Sequence, residues 1–374
     1  MPAQEKPLWY VINNVETIDT PALVIYPDRV QKNIQTAINM VGNVNRLRPH
    51  IKTHKSADVI RLMMDAGIRR FKCATIAEAE LLAIVSAPDA LLAYQPVGPK
   101  IKRLIELIRN FPATQFSCLV DQADAAQAIN DEAEKNGMKL PVMLDLNVGM
   151  NRTGIAPGKE AFELAEKLTG MQALKLIGLH AYDGHINDSD MTLRAQRCHE
   201  AFAPLQQLKE DLLAKGYDDL VIVAGGSPTF PIHAQQQDVE CSPGTFVYWD
   251  AGYQENFPEQ AFLPAALVLT RIVSRPGERL LCADLGHKAI AAENPLQRRV
   301  QFVNASGLEV VGQSEEHLVL RNRDETSFHM GDVLYGMPIH ICPTCALYGT
   351  AVVIKSHLAA DEWKIAARER KITF

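Results

Sequence analysis

"PVMLDLNVGMNRTG" (141–154) is an apolar run that ends in a Gly-containing turn and delivers Arg152. Its start carries neither a helical period nor a clean alternation, which predicts a strand of a parallel sheet covered on both faces. Similar runs lie on either side of it: "PALVIY" (21–26), "NRLRPHIK" (45–52), "RFKCAT" (70–75), "ALLAYQ" (90–95), "FSCLV" (116–120), "LIGLHAY" (176–182) and "LVIVAGG" (220–226). Helix-period segments separate them; Val30, Ile34, Ile38 and Val41 share one face, as do Ile101, Leu104, Ile105 and Ile108. Eight such units predict an α/β fold, a (β/α)8 TIM barrel rather than an open sheet. A ninth run, "VECSPGTFVYW" (239–249), either closes the barrel or leads out of it.

Past residue 250 the pattern becomes short strands separated by turn residues, with no convincing helix. That predicts a C-terminal antiparallel β domain. The expected division is a barrel over 15–250 and a β domain over 251–374, joined by residues 1–14.

Composition narrows the partners. Lys and Arg number 38 against 44 Asp and Glu, a net charge of -6, so nothing draws the chain to nucleic acid. No apolar run reaches the roughly 18–20 residues that span a bilayer, so no membrane is expected. "MPAQEKPLWYVINN" (1–14) lacks the basic and apolar regions of a signal peptide. Seven scattered cysteines fit reduced thiols in a cytoplasmic protein.

A barrel keeps its active site at the carboxyl ends of its strands, so the polar residues ending each run are the candidates. "RPHIKTHK" (48–55) offers His50, Lys52 and His54 on one strand face and Lys55 on the other. A lysine in a barrel mouth would be desolvated, as a Schiff-base amine needs; taken alone, the stretch reads more readily as a solvated basic turn. Arg152 ends the sixth run. His180, Tyr182, Asp183 and His185 end the seventh, and the Gly225-Gly226-Ser227 turn, with Thr229, ends the eighth. Such a turn can cradle a phosphate on its backbone N–H groups. An amine, a cation, an aromatic ring and a phosphate turn are the parts that hold pyridoxal 5'-phosphate.

"PIHICPTCALY" (338–348) adds a His-x-Cys-x-x-Cys cluster. In an extended segment His340 and Cys342 face the same way, and thiolate plus imidazole suits a catalytic zinc with open positions. Cys345 falls on the other parity, which makes it structural rather than a redox partner.

With these motifs in this order, the chain resembles the fold-type III pyridoxal-phosphate enzymes, the group of D-threonine aldolase and metal-dependent D-serine dehydratase, with a barrel similar to that of alanine racemase. The resemblance runs from "DTPALVIY" through "RPHIKTHK", "GMNRTG", "GGSPTF", "SPGTFVYWD", "DLGHKAI" and "SEEH" to "PIHICPT". It implies that Lys52 carries the cofactor, Arg152 lies by its phenoxide and Tyr182 lies beside its ring. Gly225, Gly226, Ser227 and Thr229 would contact its phosphate. His340 and Cys342 would bind a divalent metal, zinc by their chemistry.

The resemblance also implies a lyase acting on a small-molecule D-3-hydroxy amino acid in a homodimer. Two outcomes stay open: dehydration to a 2-oxo acid and ammonia, or retro-aldol cleavage to glycine and an aldehyde. In that group a thiol two residues after the histidine goes with the dehydratases, so Cys342 favours dehydration. "GLHAYDGHIND" matches neither subgroup, which leaves Asp183 and His185 as extra acid–base groups or as hydrogen-bonded loop residues. Glu315, Glu316 and His317 either support a metal ligand or form a solvated turn. An amino-acid racemase and a non-catalytic cofactor-binding protein are the competing readings; the first would need a second base, the second lacks a large β domain.

Overall fold

A fully apolar parallel strand needs cover on both faces and a neighbour on each edge. The computed structural model describes residues 8–374 and satisfies these needs in two compact units. One holds residues 34–246 with 369–374; the other holds the described residues to 33 with 247–368. Residues 1–7, read above as part of the β domain and as lacking a signal peptide, lie outside the described residues.

The run at 21–26 is not a barrel strand. It forms β1 (Ala22–Ile25) and belongs to the second unit. The helix after it, α1 (Pro27–Val41), buries Val30, Ile34 and Val41 along the expected stripe and half-buries Ile38. In the first unit seven parallel strands then neighbour one another in chain order: β2 (Arg70–Cys73), β3 (Asp89–Leu92), β4 (Gln115–Val120), β5 (Leu140–Leu146), β6 (Leu174–Ala181), β7 (Val221–Ala224) and β8 (Val239–Cys241). Helices α2 (Ala57–Asp65), α3 (Ile76–Ile84), α4 (Pro99–Asn110), α5 (Ala123–Lys135), α6 (Lys159–Thr169) and α7 (Met191–Ala214) alternate with them.

Residues 47–51 close the ring as an eighth stave. Leu47 bridges Cys241 of β8 and His50 bridges Lys72 of β2, both in parallel. The Arg48 N–H donates to the Cys241 carbonyl, and the Lys72 N–H to the Pro49 carbonyl, each at 2.9 Å. Pro49 has no N–H of its own, so on the β2 edge the stave donates from Ile51, to the Lys72 carbonyl at 2.9 Å. The unit is thus a (β/α)8 barrel in which the ninth run, not the first, supplies the last strand.

The barrel interior is layered. Arg48 on the closing stave donates to Glu240 Oε2 at 2.7 Å and pairs with Asp89, and Arg70 reaches the other Glu240 oxygen at 2.7 Å. Two residues further along each strand, the same parity gives His50, Lys72 and Ser242. Leu91, Leu119, Met143 and Val223 form an apolar cluster that fills the remaining interior. The last residues also belong to this unit: Arg103 Nε donates to the Phe374 carbonyl at 3.0 Å, and the Thr373 N–H to Glu80 at 3.1 Å.

The second unit is a nine-stranded sheet. After β1 its strands are β9 (Ala266–Gly277), β10 (Leu280–Ala283), β11 (Val300–Phe302), β12 (Leu308–Gln313), β13 (Leu318–Asn322), β14 (Val333–Pro338), β15 (Thr350–Lys355) and β16 (Leu358–Lys364). β1 lies between β9 and β15, antiparallel to the first and parallel to the second, so the sheet is mixed rather than purely antiparallel. Val24, Tyr26, Leu267, Leu269, Met337 and Ile354 are central to its core. Among the described residues no helix is long and apolar enough to cross a membrane.

Arg48→Ala should strip a buried cation from Glu240 and Asp89 and cost about 3–5 kcal/mol, seen as a lower urea midpoint. Arg61→Ala, which removes the exposed Arg61–Asp58 pair, should stay within about 0.5 kcal/mol in the same titration.

Candidate active site

Tyr182 follows the last residue of β6, and three cations converge on its ring. Arg152 Cζ lies 4.8 Å from the ring centroid, Lys52 Nζ 5.3 Å and Lys72 Nζ 6.0 Å. Lys52 stands one residue beyond the closing stave. Lys55, itself in the left-handed region (φ 52°), points elsewhere and ion-pairs with buried Glu78.

Arg152 is placed by the loop after β5. Asn147 Oδ1 accepts the N–H groups of Gly149 and Asn151 at 3.1 and 3.0 Å, and Asp121 accepts that of Gly154 at 2.8 Å. Gly149 sits at φ +118°, and a Cβ there would lie 2.7 Å from His185 Nε2, so glycine is required twice over. His185 therefore backs the Arg152 loop.

Lys72, which the run-end reading passed over, is buried inside the barrel. Its amine donates to Ser242 Oγ and approaches His180 Nε2 at 3.5 Å, while His180 Nδ1 lies 2.7 Å from Asp145 Oδ1. Burial, and then the charge of Lys52, bring Lys72 down to about 7, although Asp183 and Asp145 pull the other way. Burial lowers His180 despite its bond to Asp145. Burial opposes a charged Asp145, yet the hydrogen bond from His180 holds that carboxyl below its usual range. His50 is lowered well below its usual value by burial and by Lys52.

The glycine turn after β7 adjoins the same ring: a Cβ on Gly226 would sit 3.2 Å from Tyr182 Cε2. Gly225 adopts φ +78° and donates its N–H to the Ala181 carbonyl at 3.1 Å. The Gly226 N–H donates to Asp183 Oδ1 at 3.1 Å, and Asp183 Oδ2 lies 2.8 Å from His233 Nε2 on the short helix α8 (Phe230–His233). Thr229 Oγ1 lies 3.4 Å from the Gly226 nitrogen, and Ser227 Oγ accepts the Thr245 N–H at 3.2 Å. Asp183 is thus the residue that fastens this turn. Asp183, His233 and Cys198 have donor atoms within 4.8 Å of one another, all buried. Burial, and then the charge of Asp183, push the Cys198 thiol up.

In the second unit the strand parity expected for "HICPTC" does not hold. β14 stops at Pro338, and Ile341–Cys345 is a helical turn, α10, after α9 (Ala251–Asn256); both are helices in a region expected to hold none. Buried Asp250 builds the turn: its carboxylate accepts the N–H of Ile341 and that of Tyr253, each at 2.9 Å. His340 precedes the turn, and its side chain still meets that of Cys342. Burial lowers His340, but the hydrogen bond and charge of Cys342 outweigh it and hold the imidazole up at about 9. Glu293 Oε1 lies 2.6 Å from His340 Nδ1, a bond that fixes the ring in the way a carboxylate orients a metal-binding histidine. Cys345 is fully buried. Glu315 and Glu316 pair with exposed Lys288 at 2.6 and 3.0 Å, a solvated turn.

These residues fit the groups that the resemblance implies. Around one aromatic ring lie an amine, Lys52, and the Arg152 guanidinium, and beside them a turn in which any side chain at 226 would press on that ring. The imidazole–thiol pair of the second unit is a donor set suited to zinc.

The family model "Alanine racemase, N-terminal domain" matches residues 25–251, more than half the chain. The chain belongs to that family. A second, "Putative serine dehydratase domain", matches 265–354, which includes His340 and Cys342. This alanine racemase N-terminal domain protein is 25% identical over 359 residues to D-threonine aldolase of Arthrobacter sp., covering 94% of this chain and 93% of the relative. It is 26% identical over 373 residues to D-threo-3-hydroxyaspartate dehydratase of Delftia sp. (strain HT23), covering 93% and 97%. Among solved structures, D-threonine aldolase from Filomicrobium marinum superposes with a TM-score of 0.87 at 24% identity, covering 94% of this chain and 95% of that one, which shows the shared fold.

Gly149→Ala should strain the Arg152 loop by about 1–2 kcal/mol and push on His185. Thermal stability and pyridoxal-phosphate affinity, read by absorbance titration, should fall together.

Proposed function

We propose that this chain is a lyase dependent on pyridoxal 5'-phosphate and a divalent metal, acting on a D-3-hydroxy amino acid as a dehydratase that releases a 2-oxo acid and ammonia. The observation that carries the reading is the convergence of Lys52 and Arg152 on Tyr182 beside a glycine turn. Full-length likeness to an aldolase and a dehydratase of this substrate class supports it. The homodimer and the cytoplasmic location, for which the free cysteines speak, are part of the same proposal.

When bound, the cofactor supplies an electron sink for the bonds at Cα, and the metal supplies a Lewis acid for the β-hydroxyl. Lys52 Nζ is the amine that holds the cofactor and, when freed, the base for the Cα proton. Arg152 contributes a fixed positive charge over the same ring, and Tyr182 provides the flat surface. Gly225, Gly226, Ser227 and Thr229 shape the phosphate turn, which Asp183 holds closed from behind. His340 and Cys342 bind the metal, zinc by their donor chemistry, with Glu293 orienting the imidazole.

Retro-aldol cleavage is the second reading, favoured by the similarity to D-threonine aldolase. The thiol of Cys342 supports dehydration over cleavage, because the resemblance associates that residue with the dehydratases.

With D-serine, D-threonine and D-threo-3-hydroxyaspartate as substrates, 2-oxo acid should form without glycine; glycine and an aldehyde would make the chain an aldolase. Chelation should abolish turnover and zinc should restore it, whereas a racemase would be indifferent. Lys52→Ala should lose borohydride-fixed cofactor and lower turnover about 10²–10⁴-fold, while Lys55→Ala should keep both the adduct and the activity.

A further inference from the structure

Among the described residues, the Lys72 amine is committed in two directions. Ser242 Oγ lies 3.0 Å from the Gly225 carbonyl and 3.3 Å from that of Ala224, acceptors that can take only its hydroxyl proton. Ser242 therefore accepts from Lys72. With Asp145 ionised, His180 keeps its proton on Nδ1, which leaves Nε2 to accept from Lys72 as well. The chain of bonds thus has one polarity: Asp145 accepts from His180, His180 and Ser242 both accept from Lys72. A neutral amine has two hydrogens and both are spoken for, so its lone pair occupies the remaining position on Nζ. The ammonium form places a third hydrogen at that position.

We propose that Lys72 is a second acid–base lysine of this site, holding or yielding one proton at the uncommitted position of Nζ toward the molecule bound against Tyr182. This rests on the cofactor reading above. No bond other than N–H changes: the proton that leaves Nζ passes to the bound ring system or to solvent and returns by the same position. A purely structural lysine at this place would be expected to stay charged and find a carboxylate. Among the described residues no carboxylate makes an ion pair with it, and its hydrogens go to a neutral imidazole and a hydroxyl. The charged and titratable groups around it are Arg48 and His50 from the closing stave, Lys52 just past it, Asp145 from β5, and His180 and Asp183 from β6 and its following loop. Their opposing signs, with burial, leave the amine near 7, where both forms are populated at neutral pH.

The test uses the absorbance of the bound cofactor, followed from pH 5.5 to 9.5. The wild type should show a transition in the neutral range. Lys72→Met should hold the alkaline-form spectrum throughout, Lys72→Arg should hold the acid-form spectrum, and borohydride should still fix the cofactor on Lys52 in both. Asp145→Asn should move the wild-type transition to lower pH, because it removes a negative charge that favours the ammonium. If Lys72→Met titrates like the wild type, or Met and Arg variants give the same spectrum, Lys72 is structural and the proposal fails. If the wild type carries no borohydride-fixed cofactor at all, the lyase reading has failed first. Should Lys72→Met not fold, the Arg and Asp145→Asn titrations decide alone, and an unmoved transition in both overturns the proposal.

Discussion

Closure of the barrel through residues 47–51 is the constraint on which everything else in the first unit depends. Backbone N–H groups of Arg48 and His50 bond toward β8 and its following residues, and on the other edge Lys72 of β2 bonds to Pro49 and accepts from Ile51. Arg48 adds a buried ionic layer spanning Glu240 on one side and Asp89 beyond β2 on the other. Breaking such a layer leaves carboxylates in a dry interior. The same stave delivers Lys52 one residue later, so the element that seals the barrel also sets the register of the reactive amine.

Above that layer the interior turns from apolar packing to a directed polar network. Burial alone would expel charge from this region; the structure instead gives each group a neighbour and a fixed hydrogen-bond direction. Asp145 aligns His180, His180 and Ser242 orient Lys72, and Asp183 joins His233 to the glycine turn. Supporting groups of this kind hold reactive side chains more narrowly than loops can. The Arg152 loop reaches the same end by a different device, a side-chain oxygen of Asn147 that gathers two backbone donors.

Much of this was legible from residue patterns. The period of strands and helices gave a barrel, because parallel strands covered on both faces are apolar throughout, and run ends named Lys52, Arg152 and Tyr182, which the fold brings around one ring. What the pattern could not carry was partnership. "ALVI" at 22–25 is apolar in every position, so nothing in it says which sheet it joins, and it joins β9 and β15. Lys72 sits mid-run, where a charge reads as a break in an apolar strand; only ring closure sets it beside Ser242 and His180, some 170 and 108 residues away in sequence. In "HICPTC" the strand parity gave way to a helical turn because Pro343 falls in its first turn, where no N–H is required. The His340–Cys342 contact survived for a reason that parity did not contain.

The pairing of β1 with β9 has a consequence during synthesis. Ala22 of β1 meets Leu269 of β9, so the strand emerges from the ribosome long before its partner exists. At about 5–20 residues per second, the intervening chain takes on the order of 10–50 s to make. Throughout that interval a fully apolar strand stands with both edges unpaired, the arrangement most prone to pair with a neighbouring nascent chain. The demand this protein places on chaperones is therefore concentrated in its first thirty residues, well ahead of the barrel.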